Sequence, residues 1–574
     1  MHEQKLPRLI FIGLALIQGV LLYFLQQSFE THGWLSKSPQ WFMPLLTLLI
    51  AVPLVFTLSA NHHNIKKILT WLAAFSVLII LLGAYVGSQM KPYHIMRVEN
   101  LVTVYIFTMS IATFKFLIYA QQRARGQKLT YSQLFIYSWR NFLTLALSAL
   151  FTLVFWGLLM LWAALFKIIG IKFFYNLFTE EWFFFPVLAM VNTFAITIFR
   201  SQSKVVDVIT RIQQALMKYL LLLIIFVQLI FLFTLPFTGL DKLWETNSGS
   251  LLVLWLQALI LFFLNAVYQD ETSERPYPII LHRFVYFGIA LLPVYSVIVF
   301  YGLSERVMQY GWTIGRCWGM LIWFVLALFS TGYLWGIIKQ RDHWIDRLSW
   351  VNIRLGLMVM GLMFLVNTPI LDFRKISASS QIARLTSGEL DVDDFDFYYF
   401  KKHLSTAGYD SLLALKSEVA TTNKPLAKII TEVYEKNYWS RHNKTKLKLS
   451  KDAFIETLKL WPAGEILPEG FKQALYAHAK KHTYKYAKFS KFNSVIVVDL
   501  NGNDGKEYLF LHGNYINRGV LFYQEKNNWK YKYTSSSKRE KVEALNEILS
   551  NNDIEVLPHV WNDVRIGKVV HKVN

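Results

Sequence analysis

Seven residues near the middle of the chain carry groups suited to holding an anion or pairing with a charge: Arg316, Asn367, Asp372, Arg374, Ser380, Gln381 and Arg384. A guanidinium offers paired donors that match the geometry of a carboxylate or phosphate. Arg316 and Arg374 both fall beside the ends of apolar runs, where lipid headgroups would lie. Two roles fit. In the first, Arg316 pairs with Asp372, or with the acidic stretch Asp391–Asp396, and docks the following domain on the membrane. In the second, the arginines hold a ligand, and Asp372, Ser380 and Gln381 orient it. Docking is the expected role.

A second group, Asp499, Asn501, Asn503 and Glu507, sets oxygen atoms at alternating positions, as a calcium loop does. The glycine falls at position seven and no glutamate closes the loop at twelve, so the match to an EF-hand is poor. A hairpin turn using Asn-Gly and Asp-Gly accounts for the same residues, and metal binding is the weaker reading. Lys115 lies within an apolar run, where an ionisable group is a functional candidate by default. Its distance from the run's cytoplasmic end, about five residues, lets it snorkel there, and that is the expectation. The chain has one cysteine, Cys317, which excludes an internal disulfide and assigns it to packing. His62-His63 reads as a solvated turn. There is no phosphate-loop lysine motif, no Gly-x-Ser-x-Gly elbow and no His-Glu-x-x-His pair. No cofactor is expected, and enzyme activity is the less favoured reading.

The elements that must position these residues follow from hydropathy. The chain of 574 residues is 54% hydrophobic, with 44 Phe, 29 Tyr and 19 Trp. The apolar excess is concentrated before residue 368, in runs long enough to cross about 30 Å of hydrocarbon as helix. About eleven spans are expected, near 9–25, 41–59, 69–87, 101–120, 138–166, 183–199, 216–236, 250–267, 282–301, 312–338 and 349–367. Pro53, Pro186 and Pro293 fall inside spans, where proline is tolerated or kinks the helix. Residues 167–181 read as a short amphipathic helix on the membrane surface. With the N-terminus inside, the inner segments hold fifteen Lys and Arg against eight outside. That bias favours this orientation and puts the C-terminus in the periplasm. The net charge of +21 is spread along the chain, with no compact basic patch, so nucleic acid is not an expected partner.

Beyond the last span the expected division is a junction at 368–400 and a soluble α+β domain at 401–574. Gly408 reads as a helix C-cap. Residues 420–485 read as helices with polar connections and a turn at Trp461–Gly464. Strands follow near 494–499, 508–511, 519–523 and 529–533, forming a small antiparallel sheet. A helix near 541–549 and a strand near 564–570 complete the domain. The fold class is therefore a polytopic α-helical membrane protein with a C-terminal α+β soluble domain.

Five pieces carry a resemblance: Tyr301-Gly302, Gly311-Trp312-Thr313-x-x-Arg316, the pair Asn367/Asp372, Ser380-Gln381-x-x-Arg384-Leu385, and Leu404-x-x-x-Gly408-x-x-x-Leu412. In this order the chain resembles DUF4153, a family of bacterial membrane proteins. Asp499-Leu-Asn-Gly-Asn-Asp-Gly also looks like an altered Asp-rich turn of some relatives, with Asn replacing Asp. The resemblance implies a multi-pass protein of the Gram-negative inner membrane and no established reaction. An envelope scaffold or assembly factor is the first expectation. A transporter or channel comes second, and an enzyme acting on a lipid-linked substrate third. Membrane lipids, and other envelope proteins, are the expected partners.

Overall fold

Apolar runs of some twenty residues have one good solution in lipid, since a helix satisfies its own backbone hydrogen bonds where water is missing. The computed structural model of the chain is built on that solution. It describes residues 6–31, 33–92, 98–126, 128–240, 249–268, 276–434, 450–456, 458–462, 464–481, 493–500, 505–512, 518–525, 528–535, 564–566 and 569–571. Two compact units divide the chain, Met1–Thr431 and Glu432–Asn574.

Among the described residues of the first unit, eleven helical segments are long and apolar enough to cross a membrane. They are α1 (Arg8–Glu30), α3 (Pro39–Ser59), α4 (Ile65–Ser88), α5 (Glu99–Ala124), α6 (Tyr131–Ile168), α8 (Glu181–Ser201), α9 (Ser203–Thr238), α10 (Gly249–Val267), the pair α11 (Ile279–Ala290) and α12 (Leu292–Tyr310), α13 (Ile314–Gln340) and α14 (Ile345–Leu365). The ninth span is two helices because Pro293, at the start of α12, cannot donate to the preceding turn. Pro44, Pro53 and Pro186 stay inside continuous helices. Short α2 (Trp34–Lys37) and α7 (Phe173–Thr179) sit between spans. The ring of α7 residue Phe174 packs 4.9 Å from Trp162 and 4.8 Å from Phe166, an aromatic cluster suited to the interface expected for 167–181.

The spans gather around two separate apolar cores. Phe11, Val55, Leu72, Ile79, Met109 and Ile196 build the first from α1, α3, α4, α5 and α8. Leu221, Ile260, Val285, Tyr295, Tyr333 and Leu348 build the second from α9 to α14. Close approach in the first bundle uses glycine. A Cβ on Gly83 would stand 2.7 Å from the Pro44 Cα, so α3 and α4 meet backbone to backbone. In the second bundle the Gln257 amide donates to the hydroxyls of Ser296 and Ser330, tying α10, α12 and α13 together where hydrocarbon offers no alternative partner.

Residues beyond the last span continue to pack in the first unit. They form α15 (Phe373–Thr386), α16 (Phe397–His403), α17 (Ser405–Val419) and most of α18 (Lys424–Val433), whose last two residues lie past the boundary. The Thr406 N–H donates to the Gln89 carbonyl and its hydroxyl to the Lys91 carbonyl, at 3.3 and 2.6 Å. Gly408 is not a C-cap. It lies inside α17, where a Cβ would meet the Phe400 carbonyl at 2.8 Å.

The second unit holds α19 (Lys451–Glu456), α20 (Glu469–Lys481) and a five-stranded sheet in the order β1 to β5: β1 (Leu458–Trp461), β2 (Asn493–Val498), β3 (Glu507–His512), β4 (Arg518–Glu525) and β5 (Asn528–Ser535). Two expectations need correction. Residues 458–461 are a strand where helix was expected, and β1 runs parallel to β2, so the sheet is mixed. Leu-Lys-Leu-Trp is too short for its alternation to be legible against flanking helical patterns. The other pairings are antiparallel. Alternate residues Val495, Val497, Tyr508, Phe510, Val520 and Phe522 bury one face under Phe454, Phe471 and Leu475 of the two helices. The expected last strand is a pair, β6 (Val564–Ile566) with β7 (Val569–His571). The helix expected at 541–549 lies outside the described residues.

Candidate functional site

Local signals start the helices that carry the junction residues. Gly311 ends α12 with φ +70°, a conformation that favours glycine, and its N–H donates to the Val307 carbonyl. Thr313 caps α13 through the Arg316 N–H, and Asp372 caps α15 through the Arg374 N–H. The caps bring the seven predicted residues to one end of the helix bundle.

There they hold protein to protein. Arg374 Nε and Nη2 grip both Asp372 oxygens at 2.8 and 2.7 Å, and the Tyr85 hydroxyl donates to the same carboxylate at 2.7 Å. Burial alone would raise the Asp372 carboxyl. The Arg374 hydrogen bonds and charge, with the Tyr85 hydroxyl, hold it below the usual aspartate value instead. Ser380 accepts the Trp312 N–H at 2.9 Å, and Gln381 donates to the Tyr310 and Trp312 carbonyls at 3.0 Å each. Arg384 donates to the Gln309 carbonyl and pairs with Glu389. Asn367 reaches the Thr108 hydroxyl at 2.8 Å, joining the end of α14 to α5. Arg316 differs from its expected pairing with Asp372 or the acidic run. Its guanidinium donates to the Gly311 and Tyr310 carbonyls and lies 5.3 Å from the Tyr310 ring centre. The Asp372 partner is Arg374, two residues along the same helix start, because one cap places both groups together.

A cavity of about 390 Å³ opens beside this network, bordered by Asn100, Trp318, Asp372, Arg374, Tyr399 and His403. Arg374 Nη1 is buried with no hydrogen-bond partner among the described residues. Asp372 balances the arginine's charge, and burial together with the Lys402 charge lowers the His403 imidazole.

The larger cavity, about 540 Å³, lies at the seam of the two bundles. Six helices line it: α5 of the first core, α9, α10, α13 and α14 of the second, and α6, whose Tyr131 and Trp139 pack on the second core and whose Leu145 packs on the first. Its walls are aromatic and aliphatic, including Phe114, Phe135, Trp139, Phe142, Phe262 and Phe329. Polar groups enter from one edge. Asn265 and Asn352, both on the wall, bond to each other and to the Tyr333 hydroxyl, and the Tyr131 hydroxyl donates to Asn265 at 2.9 Å. Lys115 brings a charge to the same wall. Its expected snorkelling is not what the fold does. The Tyr119 hydroxyl, bonded to the Ile353 carbonyl at 2.8 Å, fixes α5 against α14, and Lys115 Nζ comes to rest near Gly356, at the midpoint of the last span. No hydrogen bond or ion pair occupies this amine among the described residues, and no described carboxylate lines the cavity. The amides Asn265 and Asn352 are visible in the sequence as polar breaks in apolar runs, but nothing local says that they meet.

Of the weak metal candidates, Asn501 and Asn503 lie outside the described residues. Glu507 is committed to the Leu500 N–H at 2.7 Å. The antiparallel pairing of β2 with β3 agrees with the hairpin reading of this segment. No cluster of three or more His, Cys, Asp or Glu side chains gathers among the described residues. Cys317 is buried, in an apolar cluster with Ala112, Leu321 and Phe373.

Eleven apolar spans in two bundles, with a lined cavity between them, define a multi-pass α-helical membrane protein. The sequence model of DUF4153, a domain of unknown function, matches residues 44–415, and the chain belongs to that family. No curated protein and no solved structure matches the chain.

Proposed function

We propose that this protein is a transporter of the bacterial inner membrane, with its N-terminus in the cytoplasm and its C-terminal unit in the periplasm. The transport reading is carried by one observation, the cavity at the seam of two separately cored bundles. A ligand held there touches both bundles, and tilting one against the other would expose it to either side. A scaffold has no need of such a space. The orientation is supported by the excess of Lys and Arg in the short segments assigned to the inside.

Two measurements test these statements. Reporter fusions at Gln127 and Gln202 are expected to behave as cytoplasmic, and a fusion at Asn574 as periplasmic. Alkaline phosphatase activity at Gln127, or none at Asn574, reverses the topology. Liposomes holding only this protein are expected to take up or release a cavity ligand faster than empty liposomes. A scaffold reading rests on the second unit, which has its own apolar core. No flux, together with a stoichiometric envelope partner in mild detergent, is the result that favours it.

A further inference from the structure

We infer that the seam cavity binds a single-chain amphiphile with an anionic head, and that Lys115 is the group that recognises the head. This names the ligand class of the cavity on which the transport reading rests. A lone ammonium in an apolar membrane interior is costly and is retained where a partner charge arrives. Here the amine lies near Gly356, where a Cβ would stand 3.8 Å from Nζ and 2.5 Å from the Tyr119 hydroxyl, so that α5 and α14 meet closely at this point. No described carboxylate faces it. Every neighbouring cation that approaches from the same helix, Arg123 and Arg125, lies two turns or more towards the helix end. The Tyr119 hydroxyl is already spent on the Ile353 carbonyl, while Ser138 and Gln213 add neutral polar groups to the wall. The amine is thus the only full charge lining the cavity among the described residues.

The rest of the wall sets the other half of the ligand. Phe135, Trp139, Phe142, Phe262 and Phe329 offer apolar faces to a hydrocarbon body. A volume of about 540 Å³ falls within the range that encloses a drug-sized molecule, which fits one chain better than a two-chain lipid. A carboxylate and a phosphate monoester share the chemistry that an ammonium recognises, and both belong to the proposed class.

The test uses the full chain in lipid nanodiscs, with lauric acid, lauryl phosphate and lauryl alcohol as probes, read by quenching of tryptophan fluorescence and by thermal midpoint. The wild type is expected to bind the two anions at least about tenfold more tightly than the alcohol, the size of one charge-assisted hydrogen bond. The stronger of the two anions then tells carboxylate from phosphate. Lys115→Met should lose this preference, and Lys115→Arg should keep it. Unliganded Lys115→Met should melt no lower than wild type, since the substitution removes an unpaired charge from an apolar site. Equal binding of acid and alcohol by the wild type overturns the inference, as does an anion preference that survives in Lys115→Met. A marked loss of unliganded stability in Lys115→Met also overturns it, because it makes the amine a structural group. Lys115-dependent binding without flux in liposomes leaves this inference standing and removes the transport reading alone.

Discussion

Asp372→Asn is expected to destabilise the membrane unit by roughly 3–5 kcal/mol, the cost of leaving one member of a buried ion pair without its partner. Asp372 is 2% exposed and Arg374 8% exposed, so water cannot take over either charge. The substitution also weakens the acceptor for the Tyr85 hydroxyl and the cap of α15. A thermal midpoint measured in detergent micelles should fall clearly below that of the wild type. The double replacement Asp372→Leu with Arg374→Met should recover much of the loss, because it removes the stranded guanidinium as well. A midpoint unchanged in Asp372→Asn would show that the pair contributes nothing to holding α15 on the spans.

The same pair fixes a pH dependence. The Asp372 carboxyl lies below its ordinary value of about 3.9 in the folded protein. A depressed carboxyl contributes stability that is complete above the unfolded value and is lost as the pH falls through the lower, folded value. Acid should therefore erode the wild-type midpoint below about pH 4. Asp372→Asn has nothing to protonate at this site, and its midpoint should change less over the same range.

Phe471→Ala is the second large effect. Phe471 is fully buried, stacked on Tyr508 at 4.3 Å and edge-on to Phe522 at 5.5 Å, with Trp529 also 5.5 Å away. It joins α20 to the sheet at the centre of the C-terminal core. Removing such a ring costs about 3–5 kcal/mol through lost burial and the cavity left behind. Limited proteolysis of the full chain, read by mass spectrometry, should give new cuts within residues 432–574 at lower protease than the wild type needs. Cuts in the spans should stay unchanged, since the substitution touches only its own core. An unaltered cleavage pattern would remove Phe471 from the set of residues that stabilise this unit.

The two largest effects thus fall on groups with different legibility. Phe471 stands in a stretch whose helical pattern is plain in the sequence, and the strands that cover it show their alternation. The Asp372–Arg374 pair is legible as two charges at the exit of the last span, but not as partners. Arg316 looks equally able to take the carboxylate. Only the geometry of the α15 cap assigns it to Arg374, leaving Arg316 to backbone carbonyls. Likewise, Ser380, Gln381 and Arg384 read as a polar run suited to a ligand. The structure uses each on a carbonyl or amide of residues 309–312.

The sequence by itself determined the eleven spans, a short helix between the fifth and sixth of them and four strands of the C-terminal sheet. Each is set by a local rule: an apolar length that matches the bilayer, or an alternation of two. The tertiary structure decided where Lys115 goes. Its environment depends on α5 meeting α14, joined by a hydrogen bond across 234 residues of chain between Tyr119 and Ile353. Hydropathy reports only how deep a residue lies along its own helix. It carries no information on which helix stands opposite, or that the opposite residue is a glycine. The same reason hid the seam cavity, whose wall draws on six helices, and the parallel strand β1, whose partner β2 follows 35 positions later in register. A cation that the sequence places near a helix end lies against Gly356 of the last span because the packing of two distant helices, rather than its own position, fixed the amine.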